Sequence, residues 1–440
     1  MLRIFIFHIM LISVEIGGTV LQDFILELLN YITMIVQILA LAVTLYYFVI
    51  GIFGWIPKRE PKNPPKRTNT FALLVAAHDE EVVIGNMVDS LRSIDYDKDA
   101  FDIFVIADNC SDRTAEIARE HGAIVYERFN NTQRGKGFAL EWMFDKLFQM
   151  EKQYDYIGIF DADNLVDKNF LNAMNHQINN GYKVVQGYVD SKNPFDSWIT
   201  CSYSFSFWSV SRVFQAARHN LGLSCQLSGT GFVMNTELLK KLGWGATCLT
   251  EDMEFTMKLA LNDERVGWAH DAIIYDEKPL TLAQSWRQRK RWMQGHADVA
   301  SRFFGKLMKK AFKEGKFLCF DCAIYLVQPI RIIALGFITL FAWLQAAYPD
   351  GNIGFFHMSY LFSPIVWNTF VILQLLYMPF VIALERKQFD VRMFFGYIAF
   401  MFYNLTWIPI AVQGMIDKNK TEWSHTKHTR QITIEEFEKH

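Results

Sequence analysis

Thr70-Phe-Ala-Leu-Leu-Val-Ala-Ala77, followed at once by His78-Asp79-Glu80-Glu81, decides how the chain is read. An unbroken apolar run of this length suits a short strand buried on both faces, and the polar quartet marks where it emerges into a loop. Val82 to Ile94 then reads as a helix with Val83, Met87 and Leu91 on one face. The unit repeats. A second strand, Phe101 to Ala107, ends in Asp108-Asn-Cys-Ser-Asp112, and Thr114 to Glu120 is helical. Ala123 to Tyr126 is a third strand, Gly137 to Met150 a helix, and a fourth strand, Tyr156 to Phe160, runs into Asp161-Ala-Asp163. Strands alternating with helices at this spacing predict an α/β fold with a mostly parallel sheet and helices on both faces. In such sheets ligands sit at the carboxyl ends of the strands, which is where Asp79, Asp108 and Asp161 all fall.

Outward from this unit the composition changes. The chain has 440 residues, too many for one ordinary domain, and is 51% hydrophobic and 15% aromatic. Its mean hydropathy is positive. Most Lys, Arg, Asp and Glu lie between residues 57 and 317, so a polar middle is predicted between apolar flanks. The net charge of −2 gives no ground for a nucleic-acid partner. Residues 1–24 are apolar but interrupted by Glu15, Gly17, Gly18 and Asp23, without a cleavage-site pattern, so a signal peptide is not expected. Tyr31 to Ile56 has no charged residue and as a helix would extend roughly 39 Å, enough to cross a bilayer with tilt. Lys58, Arg59, Lys62, Lys66 and Arg67 follow among prolines, which puts the polar domain on the cytoplasmic side.

Beyond the polar domain, Phe303 to Phe317 alternates Phe, Leu and Met with Lys at helical spacing, as in a helix lying in a membrane interface. Three apolar stretches follow, about Leu326–Tyr348, Tyr360–Leu384 and Met393–Ile416. Three crossings would leave the tail outside, whereas Lys418, Lys420, Lys427 and Arg430 argue for inside. A re-entrant turn near Pro329, or an incomplete last crossing broken at Pro409, would reconcile the two. The expected organisation is a membrane region over 1–56 (helix about 31–56), a linker over 57–69 and a soluble domain over 70–300. An interfacial helix over 301–317, spanning helices over 318–416 and a tail over 417–440 complete it. The six cysteines are scattered; Cys319 and Cys322 have C-x-x-C spacing but no second pair or His cluster, so reduced thiols are expected.

Several residues carry chemistry. Asp161 and Asp163, two carboxylates at a strand end, could hold a divalent cation against a diphosphate; the plainer reading is a solvated turn. Lys136, in Gln133-Arg-Gly-Lys-Gly-Phe138, suits a phosphate or is part of an ordinary loop. Thr250-Glu251-Asp252 precedes an apolar helix, either as an N-cap with first-turn acids or with Asp252 as a general base. In Gln284-Ser-Trp-Arg-Gln-Arg-Lys-Arg-Trp-Met-Gln-Gly-His296, Arg287, Arg289, Lys290, Arg291 and His296 are interleaved with two Trp. Arg presents forked donors to phosphate and Trp an apolar face to a sugar, while the plainer reading is a basic belt on anionic lipid.

Asp108 with Asp112, Asp161-x-Asp163, Thr250-Glu-Asp252 and Gln288-Arg-x-Arg-Trp292, in this order and spacing, resemble the processive family 2 glycosyltransferases. These include cellulose, hyaluronan and poly-N-acetylglucosamine synthases. The motifs cover about residues 70–297, and the apolar flanks match by layout. The resemblance implies a cytosolic GT-A (Rossmann-like) domain flanked by transmembrane helices in the plasma membrane. By it, Asp79, Glu80 and Asp108 would contact the nucleotide, Lys136 the diphosphate, and Asp161 and Asp163 the nucleotide and Mg²⁺ or Mn²⁺. Asp252, beside Glu251, would be the catalytic base. Arg291 would neutralise the diphosphate, and Gln288 and Trp292 would hold the acceptor sugar. Ser228 and Gly229, in Ser228-Gly-Thr-Gly231, would form an acceptor-contacting turn, though without the Phe-Phe-Cys-Gly-Ser form of cellulose synthases. The implied partners are a UDP-sugar, a growing polysaccharide and the bilayer; glucose and N-acetylglucosamine are both open as the sugar. The rival expectations are a non-processive lipid glycosyltransferase of the same fold and, from another class, a transporter with a cytosolic domain.

Overall fold

The computed structural model describes residues 19–57, 66–245, 248–347, 376–386, 391–420 and 430–437. The expectations for residues 1–18, for most of the 57–69 linker, for most of Tyr360–Leu384 and for the tail between 421 and 429 fall outside them. By packing, the chain divides into Met1–Phe48 with Ile330–Met378, and Val49–Pro329 with Pro379–His440.

In the first unit, most of a long helix, Thr19–Ile52, turns Leu28, Ile32, Ile35 and Leu39 outward. The Arg331 guanidinium lies over the Tyr47 ring at 4.7 Å. By length and composition, Glu27–Trp55 and Val391–Ile416 could each cross a membrane, and Phe317–Leu326 with Gln328–Leu340 would make a third candidate if taken as one span. Both predicted proline breaks occur upstream of the proline itself. Helix gives way at Val327, two residues before Pro329, and at Thr406, three before Pro409. Proline has no N–H to bond the carbonyl four residues back, and its ring crowds that carbonyl, so the turn before it opens.

The second unit holds an eight-stranded sheet. Its strands are β1 Phe71–Ala77, β2 Phe101–Asp108, β3 Ile124–Arg128, β4 Tyr156–Asp161, β5 Leu165–Val166, β6 Val184–Ser191, β7 Phe232–Asn235 and β8 Val266–Asp276, in the order β3-β2-β1-β4-β7-β6-β8-β5. The four strands expected from the sequence form the parallel half. The other half departs from expectation: β7 runs antiparallel to both β4 and β6, and β5 antiparallel to β8, so the sheet is mixed. β1 lies inside the sheet, and Phe71, Leu73 and Val75 on one of its faces are wholly buried against Ile84, Met87, Val88 and Leu91. Each such side chain contributes about 1.5–3 kcal/mol of burial. Register does the rest. Ala76 pairs with Asp161 and Ala77 with Ala107, so the loops opening at His78, Asp108 and Asp161 emerge side by side.

Leu282–Glu314 is one helix of 33 residues, begun by a Thr281–Gln284 capping box and ended at left-handed Gly315. The boundary expected at 300 lies inside it. Val299, Phe303, Leu307 and Ala311 face Met257, Ala260 and the Phe317–Leu326 helix. Phe304 and Phe312 point outward.

Candidate functional site

A cavity of about 250 Å³ opens at the carboxyl ends of β1, β2 and β4. Glu80, Asp108, Lys136, Asp161, Asp163, Ser228, Gly229, Glu251, Asp252, Gln288, Arg291 and Trp292 all line it, so of the residues to which the family resemblance gives a role it gathers every one but Asp79. Asp79 has a left-handed backbone (φ 55°), and its carboxylate accepts the Ser111 N–H at 2.7 Å, shaping the turn beside the cavity. Asp79, Cys110 and Asp112 lie close enough together to suggest a metal site. Asp112, however, already accepts the N–H of Glu81 at 3.1 Å and of Thr114 at 3.0 Å, and burial pushes the Cys110 thiol up to about 11. These groups build a turn.

Asp108 is buried, with one carboxylate oxygen 2.6 Å from Arg128. Arg128 also donates to the Gln133 carbonyl at 2.8 Å and so ties the end of β2 to the loop that carries Lys136. Lys136 opens a helix, Lys136–Leu147, behind Gly135 at φ 110°, a conformation few side chains tolerate. Its ammonium is paired with Asp161 and donates to the Gly229 carbonyl at 2.8 Å. Burial depresses that ammonium, but Asp161, Glu251 and Asp252 outweigh burial and hold it above its ordinary value. Gly229 (φ 80°) lets its turn pass close to the acids: a Cβ there would lie 3.5 Å from Asp252 Oδ2.

Thr250 stands at the N-cap position of the Glu251–Leu261 helix, but its side chain makes no capping bond. Its hydroxyl and methyl instead pack on Gly295 of the long helix, where any Cβ would overlap them. Asp252 is pushed up to about 7 by burial and then by Glu251, against the pull of Lys136 and Arg291; Glu251 is raised by burial too.

Helix geometry sorts the basic stretch. Gln288, Arg291 and Trp292 are three and four residues apart, hence on one face, and that face lines the cavity. Arg289 points the other way, wholly buried, bonded to Ser285 Oγ at 3.0 Å and Thr406 Oγ1 at 2.8 Å, with its guanidinium 4.1 Å from the Tyr403 ring centroid. Lys290 pairs with Asp417. Burial drives His296 down to about 4, against the backbone carbonyls of Leu326 and Tyr325. One cation of the five, Arg291, is in the cavity wall.

Residues that sequence reasoning passed over share the site. Asp276, the last residue of β8, and Glu277 after it line the cavity with Phe207. Asp276 is pushed up to about 6 by burial and by Asp163, although Lys278 holds it at 2.8 Å. Asp163 is buried and accepts the Glu277 N–H at 3.3 Å. Asp161, Asp163 and Asp276 all line the cavity, and carboxylate oxygens are the donors that Mg²⁺ or Mn²⁺ takes. Asp276 too ends a strand, but one whose sequence did not mark it as such.

Residues 67–295 match the family model described as glycosyltransferase like family 2. The probable glycosyltransferase YdaM of Bacillus subtilis is 25% identical over 381 residues, 82% of this chain and 87% of the relative. The poly-β-1,6-N-acetyl-D-glucosamine synthase of Staphylococcus epidermidis is 23% identical over 381 residues, 83% and 88%. The β-monoglucosyldiacylglycerol synthase of Synechocystis is 29% identical over 230 residues, 51% of this chain and 47% of that relative, so the chain spans about half its length. Among solved structures, the mannosyltransferase PcManGT from Pyrobaculum calidifontis, in complex with GDP-Man and Mn²⁺, shares the fold with a TM-score of 0.59 at 17% identity over 89% of this chain and 99% of that one.

Proposed function

Because this chain belongs to glycosyltransferase family 2 and is a glycosyltransferase of GT-A-like fold, we propose that it polymerises a sugar from a UDP-sugar donor by inverting, processive β-transfer. The observation that carries the chemistry is the placing of Asp252 in one cavity with Lys136, Arg291, Gln288 and Trp292. Asp252 takes the proton from an acceptor hydroxyl, whose oxygen attacks the anomeric carbon from the face opposite the leaving UDP. The C–O bond to the diphosphate breaks as the new glycosidic bond forms. Lys136 and Arg291 stabilise the charge that develops on the leaving group, usually the largest single contribution to such a step. Asp161 and Asp163 would hold Mg²⁺ or Mn²⁺, which would supply further positive charge at the diphosphate. Asp108 and Glu80 line the end of the cavity assigned to the nucleotide, and Gln288, Trp292, Ser228 and Gly229 the end assigned to the acceptor.

Processive synthesis is supported by the extent of the likeness to the poly-N-acetylglucosamine synthase, which covers 83% of this chain and so reaches beyond the polar domain. With the candidate spans it favours a plasma-membrane enzyme, its catalytic domain cytoplasmic and its polymer leaving through the bilayer. The likeness to the glucolipid synthase supports a second reading, transfer of one sugar to a lipid. Membership of a transferase family leaves the transporter reading without ground.

The test uses the purified full-length protein in lipid with Mg²⁺ and radiolabelled UDP-glucose or UDP-N-acetylglucosamine. High-molecular-weight product from one donor, absent in Asp252→Asn, is expected. A product of one sugar on lipid would replace the polymer reading with the lipid one.

A further inference from the structure

Gln288 and Trp292 line the cavity, and both are held from behind by one side chain that does not. Tyr203, in the Trp198–Val210 helix, is 2% exposed. Its hydroxyl lies 2.9 Å from Gln288 Oε1 and 3.4 Å from the Ser285 carbonyl. Its ring meets the Trp292 indole edge-on, with centroids 6.1 Å apart. Phe207 stacks along it at 6.4 Å and Tyr403 packs on it at 5.7 Å. A phenol boxed in this way has little rotamer freedom and a single proton to give, and the carboxamide is the nearer acceptor.

We propose that Tyr203 is a positioning residue for the acceptor. By donating to Oε1 it fixes which way the Gln288 amide turns, so that the two N–H groups of Nε2 are directed to the cavity the side chain lines. Gln288 is thereby a donor to an acceptor oxygen, and the edge of the Tyr203 ring sets the plane of Trp292. The contact with Tyr403 joins this arrangement to the Val391–Leu405 helix, so a shift of that helix is felt at the acceptor face. The inference rests on the reading above that Gln288 and Trp292 hold the acceptor.

The experiment compares wild type, Tyr203→Phe, Gln288→Ala and the double variant, all full-length in lipid. The donor is whichever of UDP-glucose and UDP-N-acetylglucosamine the wild type uses, and the acceptor is the β-linked tetrasaccharide of that sugar or dioleoylglycerol, whichever supports transfer. Hydrolysis of the donor without acceptor is followed separately. Tyr203→Phe loses one oxygen and keeps the ring, so its melting temperature should stay near that of wild type. It should raise the acceptor KM about tenfold while leaving donor KM and hydrolysis unchanged. In the Gln288→Ala background it should add nothing. Equal losses in transfer and hydrolysis would make Tyr203 a packing residue only and overturn the proposal. An effect of Gln288→Ala without one of Tyr203→Phe would overturn the positioning role and leave the acceptor reading standing. No effect of Gln288→Ala on the acceptor KM would sink both.

Discussion

A carboxylate that must accept a proton from a sugar hydroxyl works best when its own pKa lies near the operating pH, and Asp252 is brought there by burial and by Glu251. Only the ionised form can act as base. Transfer should therefore fall as the pH drops below about 7 and level off above it, and kcat/KM against pH will show this limb directly. Asp252→Asn should lower transfer by a factor of 100 or more, the usual scale for removing such a base, with donor binding retained. Glu251→Gln removes the neighbouring negative charge that raises Asp252, so the limb should move to lower pH. An unmoved limb in Glu251→Gln would assign the titration to another group.

Two helices set the distance between the base and the acceptor face, and a single glycine sets how close they come. Any Cβ at Gly295 overlaps the Thr250 hydroxyl and lies 2.6 Å from its methyl, whereas Gly305, two to three turns on in the same helix, has nothing within 4 Å. Gly295→Ala should thus cost tenfold or more in activity by displacing Thr250-Glu-Asp from Gln288-x-x-Arg-Trp, while Gly305→Ala should be active and slightly stabilised, by about 0.5–1 kcal/mol of helix propensity. Assay and thermal unfolding of both variants check this, each serving as the other's control. The same helix carries a pH response. His296 folds neutral, with its pKa down from 6.5 to about 4. The unfolded chain therefore binds the extra proton between those values, and stability that is complete above 6.5 is lost as the pH falls toward 4, by at most about 3 kcal/mol. His296→Gln should flatten that part of the melting temperature against pH; an unchanged slope would refute it. At this scale the sequence was legible where local pattern sufficed. The first four strands are apolar runs ending in polar loops. β6 and β8 carry Gly, Asp and His among their apolar residues, and β7 has four residues, so local pattern could not separate them from loops. In the basic stretch the spacing was visible but the facing was not: Arg289 and Lys290 look like Arg291 until their distant partners, Thr406, Tyr403 and Asp417, are known. Tyr203 gave no signal, because its partner stands 85 residues away.

At the scale of the whole second unit, a polar catalytic domain meets apolar helices, and charge pairs stand where they meet. Arg386, ending the helix over 376–386, donates to Asp190 at 2.6 Å, and the Trp208 indole N–H donates to the same carboxylate at 2.6 Å. Arg212 pairs with the neighbouring Glu385. Deeper still, Arg218 clasps Asp321 through two bonds of 2.9 and 3.0 Å, with neither side chain exposed and the guanidinium 3.6 Å from the Phe214 ring centroid. Asp321 is a charge just ahead of an apolar segment, and pairing with a residue 103 positions away accounts for it. Such a pair adds little net stability over an apolar contact of the same shape, because both ions have left water, but losing one partner strands the other. Asp321→Asn and Arg218→Met should each destabilise the protein by about 3–5 kcal/mol, whereas Arg218→Met with Asp321→Leu should recover most of that loss. Thermal unfolding in one detergent, read alongside donor hydrolysis, measures it. Additive losses in the double variant would mean that the two residues act separately. Recovery of stability without recovery of transfer would mean that the pair also sets how the Phe317–Leu326 helix is seated against the catalytic domain, since an apolar pair of similar volume restores packing but not the directed fork of the guanidinium.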